Sequence, residues 1–135
     1  LGDVYKRQIE EVTVSDPRFY FVLGDLFEID FSQSEIQDGA PFDLFMSDAM
    51  VKTSGIPERD CARSIALVEK GLWGATEQKL LKPNGRYLAK IFQGPGFEDF
   101  LKNEWRPRFK KTIVERPKAT RQKSRELYLL GIELK

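Results

Sequence analysis

Residues 85–94, which read GRYLAKIFQG, constrain the fold more than any other part of the sequence. Their apolar and aromatic side chains lie between an Asn-Gly pair and a Gly-Pro-Gly sequence, a pattern typical of a buried central strand. Lys90 stands near the end of this strand. Because a buried ammonium group is costly unless it is paired, we expect Lys90 to have an acidic partner or to lie at the open crevice where α/β sheets bind ligands.

Four other segments have the apolar runs or the alternation that are typical of strands. They are residues 19–23, 42–46, 109–115 and 126–134. A long amphipathic helix is predicted over residues 58–81, where apolar side chains recur at helical spacing, and Lys82-Pro83-Asn84-Gly85 is expected to end it.

Shorter elements fill the gaps between these segments. Residues 27–36 predict a short helix or an irregular segment that ends at Asp38-Gly39, and a second short helix is expected after Gly96. Strands that alternate with helices and finish in a hairpin indicate an α/β sheet with crossover connections and an antiparallel edge.

Length and composition exclude several classes of protein. A chain of 135 residues suits one domain, and its single cysteine rules out an internal disulfide. The absence of histidine excludes Ser-His and Cys-His nucleophile systems within this chain and argues against a zinc site, so we expect no metal. No apolar run approaches the roughly 20 residues that span a bilayer. We therefore expect a cytoplasmic monomer without membrane contact.

The first residues differ in character from the rest. Residues 3–8, DVYKRQ, match what a common transposon-type sequencing adaptor encodes when it is read through in one frame. We interpret residues 1–8 as an adaptor-derived or disordered segment. A short exposed terminal segment is the alternative, and residues 9–135 form the domain in either case.

Three charged residues, Asp48, Lys90 and Glu126, stand where predicted strands end or begin. If the strands that precede Asp48 and contain Lys90 are parallel and the last strand is antiparallel, all three residues reach the same edge of the sheet. A lysine between two carboxylates can orient a hydroxyl group and steer its proton. A purely structural ion-pair network explains the pattern equally well.

Five motifs in order resemble those of one enzyme family. They are Gly24-Asp25, Ser47-Asp48, Ser54 to Asp60, Lys90 to Gly94 and Ser124 to Tyr128. Through them residues 19–135 resemble the FtsJ-like (RrmJ) family of S-adenosylmethionine-dependent ribosomal RNA 2′-O-ribose methyltransferases. One departure is Ala49-Met50-Val51, where the family usually has Met-Ala-Pro.

The resemblance implies a fold and a set of catalytic residues. The fold is a partial Rossmann-like methyltransferase sheet, mostly parallel with an antiparallel C-terminal edge hairpin, and residues 9–135 are the C-terminal two-thirds of its domain. Of the family's Lys-Asp-Lys-Glu tetrad, Asp48, Lys90 and Glu126 carry over, while the first lysine and the glycine-rich cofactor loop have no counterpart. Lys90 would be the proton-steering residue.

The resemblance also implies ligands. S-adenosyl-L-methionine would be the cofactor, with Asp25 accepting from the adenine amino group, the backbone of Leu26 at the adenine ring and Asp48 near the methionyl portion. A plain turn aspartate is the alternative for Asp25.

The basic stretch before Glu126 is suited to phosphate contact. Ribosomal RNA, of the large subunit, would bind at Lys118, Arg121, Lys123 and Arg125, with Lys110 and Lys111 as an extension. A solvated charged face is the alternative for these residues. For the chain as a whole, the competing function is a non-catalytic RNA-binding module of the same fold; a nucleotide-binding oxidoreductase lacks its Gly-x-Gly-x-x-Gly fingerprint.

Overall fold

A computed structural model describes residues 15–48, 53–117 and 125–135 of the chain. Within these residues seven regular elements follow one another: α1 Ser34–Gln37, β1 Phe42–Ser47, α2 Pro57–Thr76, β2 Leu81–Phe92, α3 Phe97–Phe100, β3 Phe109–Glu115 and β4 Glu126–Leu134. A π-helical turn, Leu101–Trp105, and a 3-10 turn, Arg106–Arg108, lead from α3 into β3.

The four strands form one sheet in the order β1, β2, β4, β3. Strands β1 and β2 are parallel and are connected through α2, whereas β4 is antiparallel to both β2 and β3. The predicted α/β sheet with an antiparallel C-terminal hairpin is confirmed, although one of the three pairings among the described strands is parallel and two are antiparallel. The ends of β1 and β2 and the beginning of β4 therefore lie at one edge, which we call the carboxyl edge.

The core lies on one face of the sheet, against α2 and the turns that follow α3. Alternate residues of β2, among them Tyr87 and Ile91, are fully buried there. The ring of Trp105 packs at 4.9 Å from that of Tyr87 and at 5.1 Å from that of Phe109. On the opposite face coverage is lower, and Met46 of β1 is 62% exposed.

Helix α2 begins as its sequence predicts and ends earlier. Pro57 stands at the first helical position, where its missing N–H is not needed. The predicted end near residue 81 is wrong, because the helix stops at Thr76 and Lys79 adopts a positive φ of 58°. The chain then turns early enough for Leu81 to pair with Phe42 of β1, so β2 starts before the predicted strand.

The strand predicted over residues 19–23 is not formed. Among the described residues β1 is an outer strand of the sheet, and Tyr20 and Leu23 are exposed. An apolar run becomes a strand only when a neighbouring strand pairs with its backbone, and the described part of the chain offers residues 19–23 none. Of the two alternatives for the segment before Asp38, the structure shows both in part, with turns followed by the single helical turn α1. The predictions for residues 1–8, 49–51, 118, 121 and 123 lie outside the described residues.

Candidate active site

Lys90 and Asp48 form an ion pair at the carboxyl edge. Ser47 is level with Ala89 in the parallel β1–β2 pairing, which brings the residues that follow them side by side. The Nζ atom of Lys90 lies 2.8 Å from Oδ1 of Asp48, and the two side chains are 14% and 70% exposed. The expected acidic partner of Lys90 is thus present, and the carboxylate of Asp48 faces solvent where a ligand can reach it.

Strand β4 adds two residues beside this pair. In the antiparallel β2–β4 pairing Tyr128 is opposite Lys90, and Glu126 is opposite Phe92. The Nζ atom of Lys90 lies 6.0 Å from the centre of the Tyr128 ring. The topology therefore brings Asp48, Lys90 and Glu126 to the same edge, as expected from their positions at the ends of predicted strands. Their chemical roles stay predictions.

The surroundings of Lys90 favour its charged form. The hydrogen bond with Asp48 raises the pKa of Lys90 above its ordinary value, and partial burial opposes that rise. The negative charge of Asp48, followed by smaller contributions from Tyr128 and Glu126, also raises the pKa. Lys90 is consequently an ammonium group at neutral pH, which can donate hydrogen bonds and cannot accept them.

The first two turns of α2 hold the loop after Asp48 and the end of β2. Asp60 accepts hydrogen bonds from the backbone N–H and the hydroxyl of Ser54, both at 2.8 Å. The hydrogen bond from the backbone N–H of Ser54 is the main cause of a lowered pKa of the Asp60 carboxyl, and the bond from the hydroxyl adds to it. Burial opposes this lowering. One turn further on, the hydroxyl of Ser64 accepts from the backbone N–H of Phe92 at 2.9 Å.

Cys61, between these two residues, is fully buried and packs under the same strand end. Its thiol donates to the carbonyls of Phe92 at 3.4 Å and Pro95 at 3.5 Å. Burial raises the pKa of the thiol. This is the environment of a packing residue.

Sequence reasoning missed the part that α2 plays at the site. Asp60 and Ser64 are four residues apart and therefore lie on the same face of the helix. Both are polar residues on the side that packs toward the sheet, and that spacing was the available signal.

Asp25, which is predicted to contact the cofactor, has a hydrogen-bond partner two residues away in the sequence. Its Oδ1 atom accepts a hydrogen bond from the backbone N–H of Phe27 at 2.9 Å, in an exposed turn that includes Leu26. This bond is what a turn aspartate makes, and it engages one of the two carboxylate oxygens. Contact of Asp25 and Leu26 with adenine stays a prediction.

Of the four basic residues expected to bind RNA, Arg125 is described, and it is exposed next to Glu126. The expected extension through Lys110 and Lys111 lies away from Arg125, and its contact with RNA stays a prediction. Lys111 is opposite Ile132 near the far end of β4, and Lys110 lies 3.8 Å from Glu133. Both lysines therefore belong to the edge opposite Lys90.

The described residues contain neither a cluster suited to a metal ion nor a helix suited to a membrane. Within residues 15–48, 53–117 and 125–135, no three His, Cys, Asp or Glu side chains are grouped so that they could hold a metal ion. In the same part of the chain, no helix has the length and apolar character that crossing a membrane requires.

Together, the fold and the site define an α/β protein that presents a lysine and carboxylates at the carboxyl edge of its sheet, where proteins of this architecture bind ligands. The model of the family described as FtsJ-like methyltransferase matches residues 2–134. The chain belongs to the FtsJ-like methyltransferase family.

Curated relatives carry the name ribosomal RNA large subunit methyltransferase E. The protein of Desulfatibacillum aliphaticivorans is 39% identical over 116 residues, which are 85% of this chain and 54% of that protein. The protein of Myxococcus xanthus is 43% identical over 111 residues, 82% of this chain and 49% of its own length. The chain thus spans about half the length of these relatives.

A solved structure has the same fold. A ribosomal RNA methyltransferase from Plasmodium falciparum superposes with a TM-score of 0.69 at 23% identity, over 92% of this chain and 68% of the other. At that identity the likeness establishes the architecture, and it supports the sheet order described above.

Proposed function

We propose that the carboxyl edge of this sheet takes part in transferring a methyl group from S-adenosyl-L-methionine to a ribose 2′-hydroxyl of large-subunit ribosomal RNA. The observation that carries the proposal is the 2.8 Å ion pair between Lys90 and Asp48 at that edge. Family membership and the names of the curated relatives support the same reaction.

Lys90 contributes through its positive charge. As an ammonium group it donates a hydrogen bond to the ribose oxygen, which holds that oxygen in line for attack and stabilises the negative charge that develops as its proton leaves. Asp48 lies within hydrogen-bond distance of Lys90 and is exposed, so it is placed to receive that proton. Glu126 supports the charge and orientation of Lys90 from the neighbouring strand.

The bonds that form and break in this reaction balance one another, and the proposed reaction uses no metal ion. The ribose oxygen forms a bond to the methyl carbon, and the bond between that carbon and sulfur breaks. When bound, S-adenosyl-L-methionine supplies the sulfonium methyl group. The carboxylates of this chain fit such a cofactor, because the exposed Asp48 can accept from an ammonium group and Asp25 has a second oxygen for an amino group.

The proposed roles of the basic residues follow from their positive charge. Lys118, Arg121, Lys123 and Arg125 neutralise RNA phosphates, so binding by these residues weakens as salt concentration rises. We further propose that the protein acts as a cytoplasmic monomer. The division of the chain into residues 1–8 and a methyltransferase portion, residues 9–135, stays a prediction.

The test is transfer of a labelled methyl group by the chain extended with the portion of its curated relatives that it does not match. A large-subunit ribosomal RNA transcript should become labelled, and nuclease digestion should release a 2′-O-methylated nucleoside. A matched transcript with a 2′-deoxy sugar at the modified position is the control and should stay unlabelled. RNA binding without any transfer would instead support the non-catalytic RNA-binding module.

A further inference from the structure

Gln93 connects both ends of the segment between β3 and β4 to the strand that carries Lys90. It follows β2 directly and is exposed. Its Oε1 atom accepts a hydrogen bond from Nη2 of Arg116 at 3.3 Å, and its backbone N–H donates to the carbonyl of Arg125 at 2.8 Å. One residue therefore positions Arg116, which follows β3, and Arg125, which precedes β4.

The sheet order gives the contact with Arg116 its significance. Strand β4 lies between β2 and β3, so the side chain of Arg116 has to cross the beginning of β4 to reach Gln93. With neighbouring strands about 4.8 Å apart, it bridges roughly 10 Å. Its guanidinium group consequently lies at the carboxyl edge, within hydrogen-bond distance of Gln93, rather than beyond the outer strand.

Arg125 brings a second positive charge to the same place. Its backbone is fixed by the bond to Gln93, and its charge lowers the pKa of Cys61 against the larger effect of burial. Arg125 is exposed, so its guanidinium group is accessible to a ligand at this end of the sheet. Two arginines thus approach Gln93 from neighbouring parts of the chain.

We infer that Gln93, Arg116 and Arg125 form a binding site for a phosphate of the RNA backbone, at the same end of the sheet as the ribose that Lys90 orients. A guanidinium group has five N–H donors in a planar fork that matches phosphate geometry, and an amide oxygen fixes the direction of that fork. Gln93 is three residues after Lys90, about 10 Å along an extended chain. The inference rests on the proposed function, since it assumes that RNA meets this edge.

The experiment measures binding of a fluorescein-labelled single-stranded RNA oligonucleotide to the 135-residue chain by anisotropy, at several salt concentrations. Arg116→Gln should weaken binding and flatten the dependence of log K on log salt by about one phosphate contact. Gln93→Met keeps every positive charge, so it should weaken binding with the salt slope unchanged. The double variant should bind no more weakly than Arg116→Gln alone, because Gln93 acts through Arg116.

Arg86→Gln is the matched control. It removes the same charge from β2 at a position several residues before Lys90, and it should leave the salt slope as in the unmodified chain. Circular dichroism of each variant confirms that the fold is kept.

The outcomes separate the inference from the proposed function. If the unmodified chain binds RNA and Arg116→Gln behaves like Arg86→Gln, the phosphate site is wrong and the proposed function stands. If Gln93→Met binds as tightly as the unmodified chain, the side chain of Gln93 does not position Arg116. If the unmodified chain fails to bind RNA even at low salt, RNA contact at this edge fails and the site fails with it.

Discussion

Replacing Ser64 by alanine should destabilise the protein although it removes a single oxygen atom. The β1–β2 pairing ends at Ser47 and Ala89, so the backbone N–H of Phe92 lies beyond the last residue pair that β1 provides. The hydroxyl of Ser64 supplies its acceptor at 2.9 Å, and Ser64 is 7% exposed. Ser64→Ala leaves a buried donor without that partner.

The expected loss follows from the energetics of an unsatisfied buried donor, about 1–3 kcal/mol in the free energy of unfolding. Urea denaturation monitored by tryptophan fluorescence measures it, and the midpoint should fall while the slope m stays constant. Ser32→Ala is the control, because the hydroxyl of Ser32 binds the exposed Asp30, and a change within about 0.5 kcal/mol is expected there. Equal stability of the two variants would refute the claim that Ser64 anchors the end of β2.

Two further predictions concern the core and the ion pair. Gly71→Ala should destabilise by on the order of 1–2 kcal/mol, because a methyl group there collides with the hydroxyl of Tyr87 and the gain in helix propensity offsets only part of the strain. In that background Tyr87→Phe should restore stability in urea denaturation, and a further loss would contradict the collision. The raised pKa of Lys90 means that its bond with Asp48 stabilises the fold fully below pH 10.5 and is lost as pH rises through that raised pKa. The difference in unfolding free energy between the unmodified chain and Asp48→Asn should therefore shrink above pH 10.5, and a difference that grows there would contradict the assignment.

Local sequence patterns predicted the helices and strands whose formation depends mainly on their own residues. The β2 strand combines an apolar run with glycine and proline at its boundaries, and the amphipathic period of α2 requires no knowledge of its neighbours. The end of α2 was predicted too late, because the left-handed conformation of Lys79 depends on where Leu81 meets β1. Residues 19–23 were predicted as a strand from composition alone, although strand formation depends on a partner.

The site likewise combines a contact that could be predicted from sequence with one that could not. Asp48 and Lys90 could be paired from sequence, because the carboxyl ends of parallel strands meet at one edge. The contact between Gln93 and Arg116 could not, since it spans 23 residues and crosses a strand between them. Such contacts follow from strand order, which residue spacing does not encode.

The measurement that tests the account most directly is single-turnover methyl transfer by the extended chain with Lys90→Ala, at saturating RNA. If Lys90 orients the attacking oxygen, the transfer rate should fall by about 10²–10⁴-fold while affinity for S-adenosyl-L-methionine changes little. A rate equal to that of the unmodified protein would show that the charges at the carboxyl edge are structural, and the proposed role of Lys90 would be wrong.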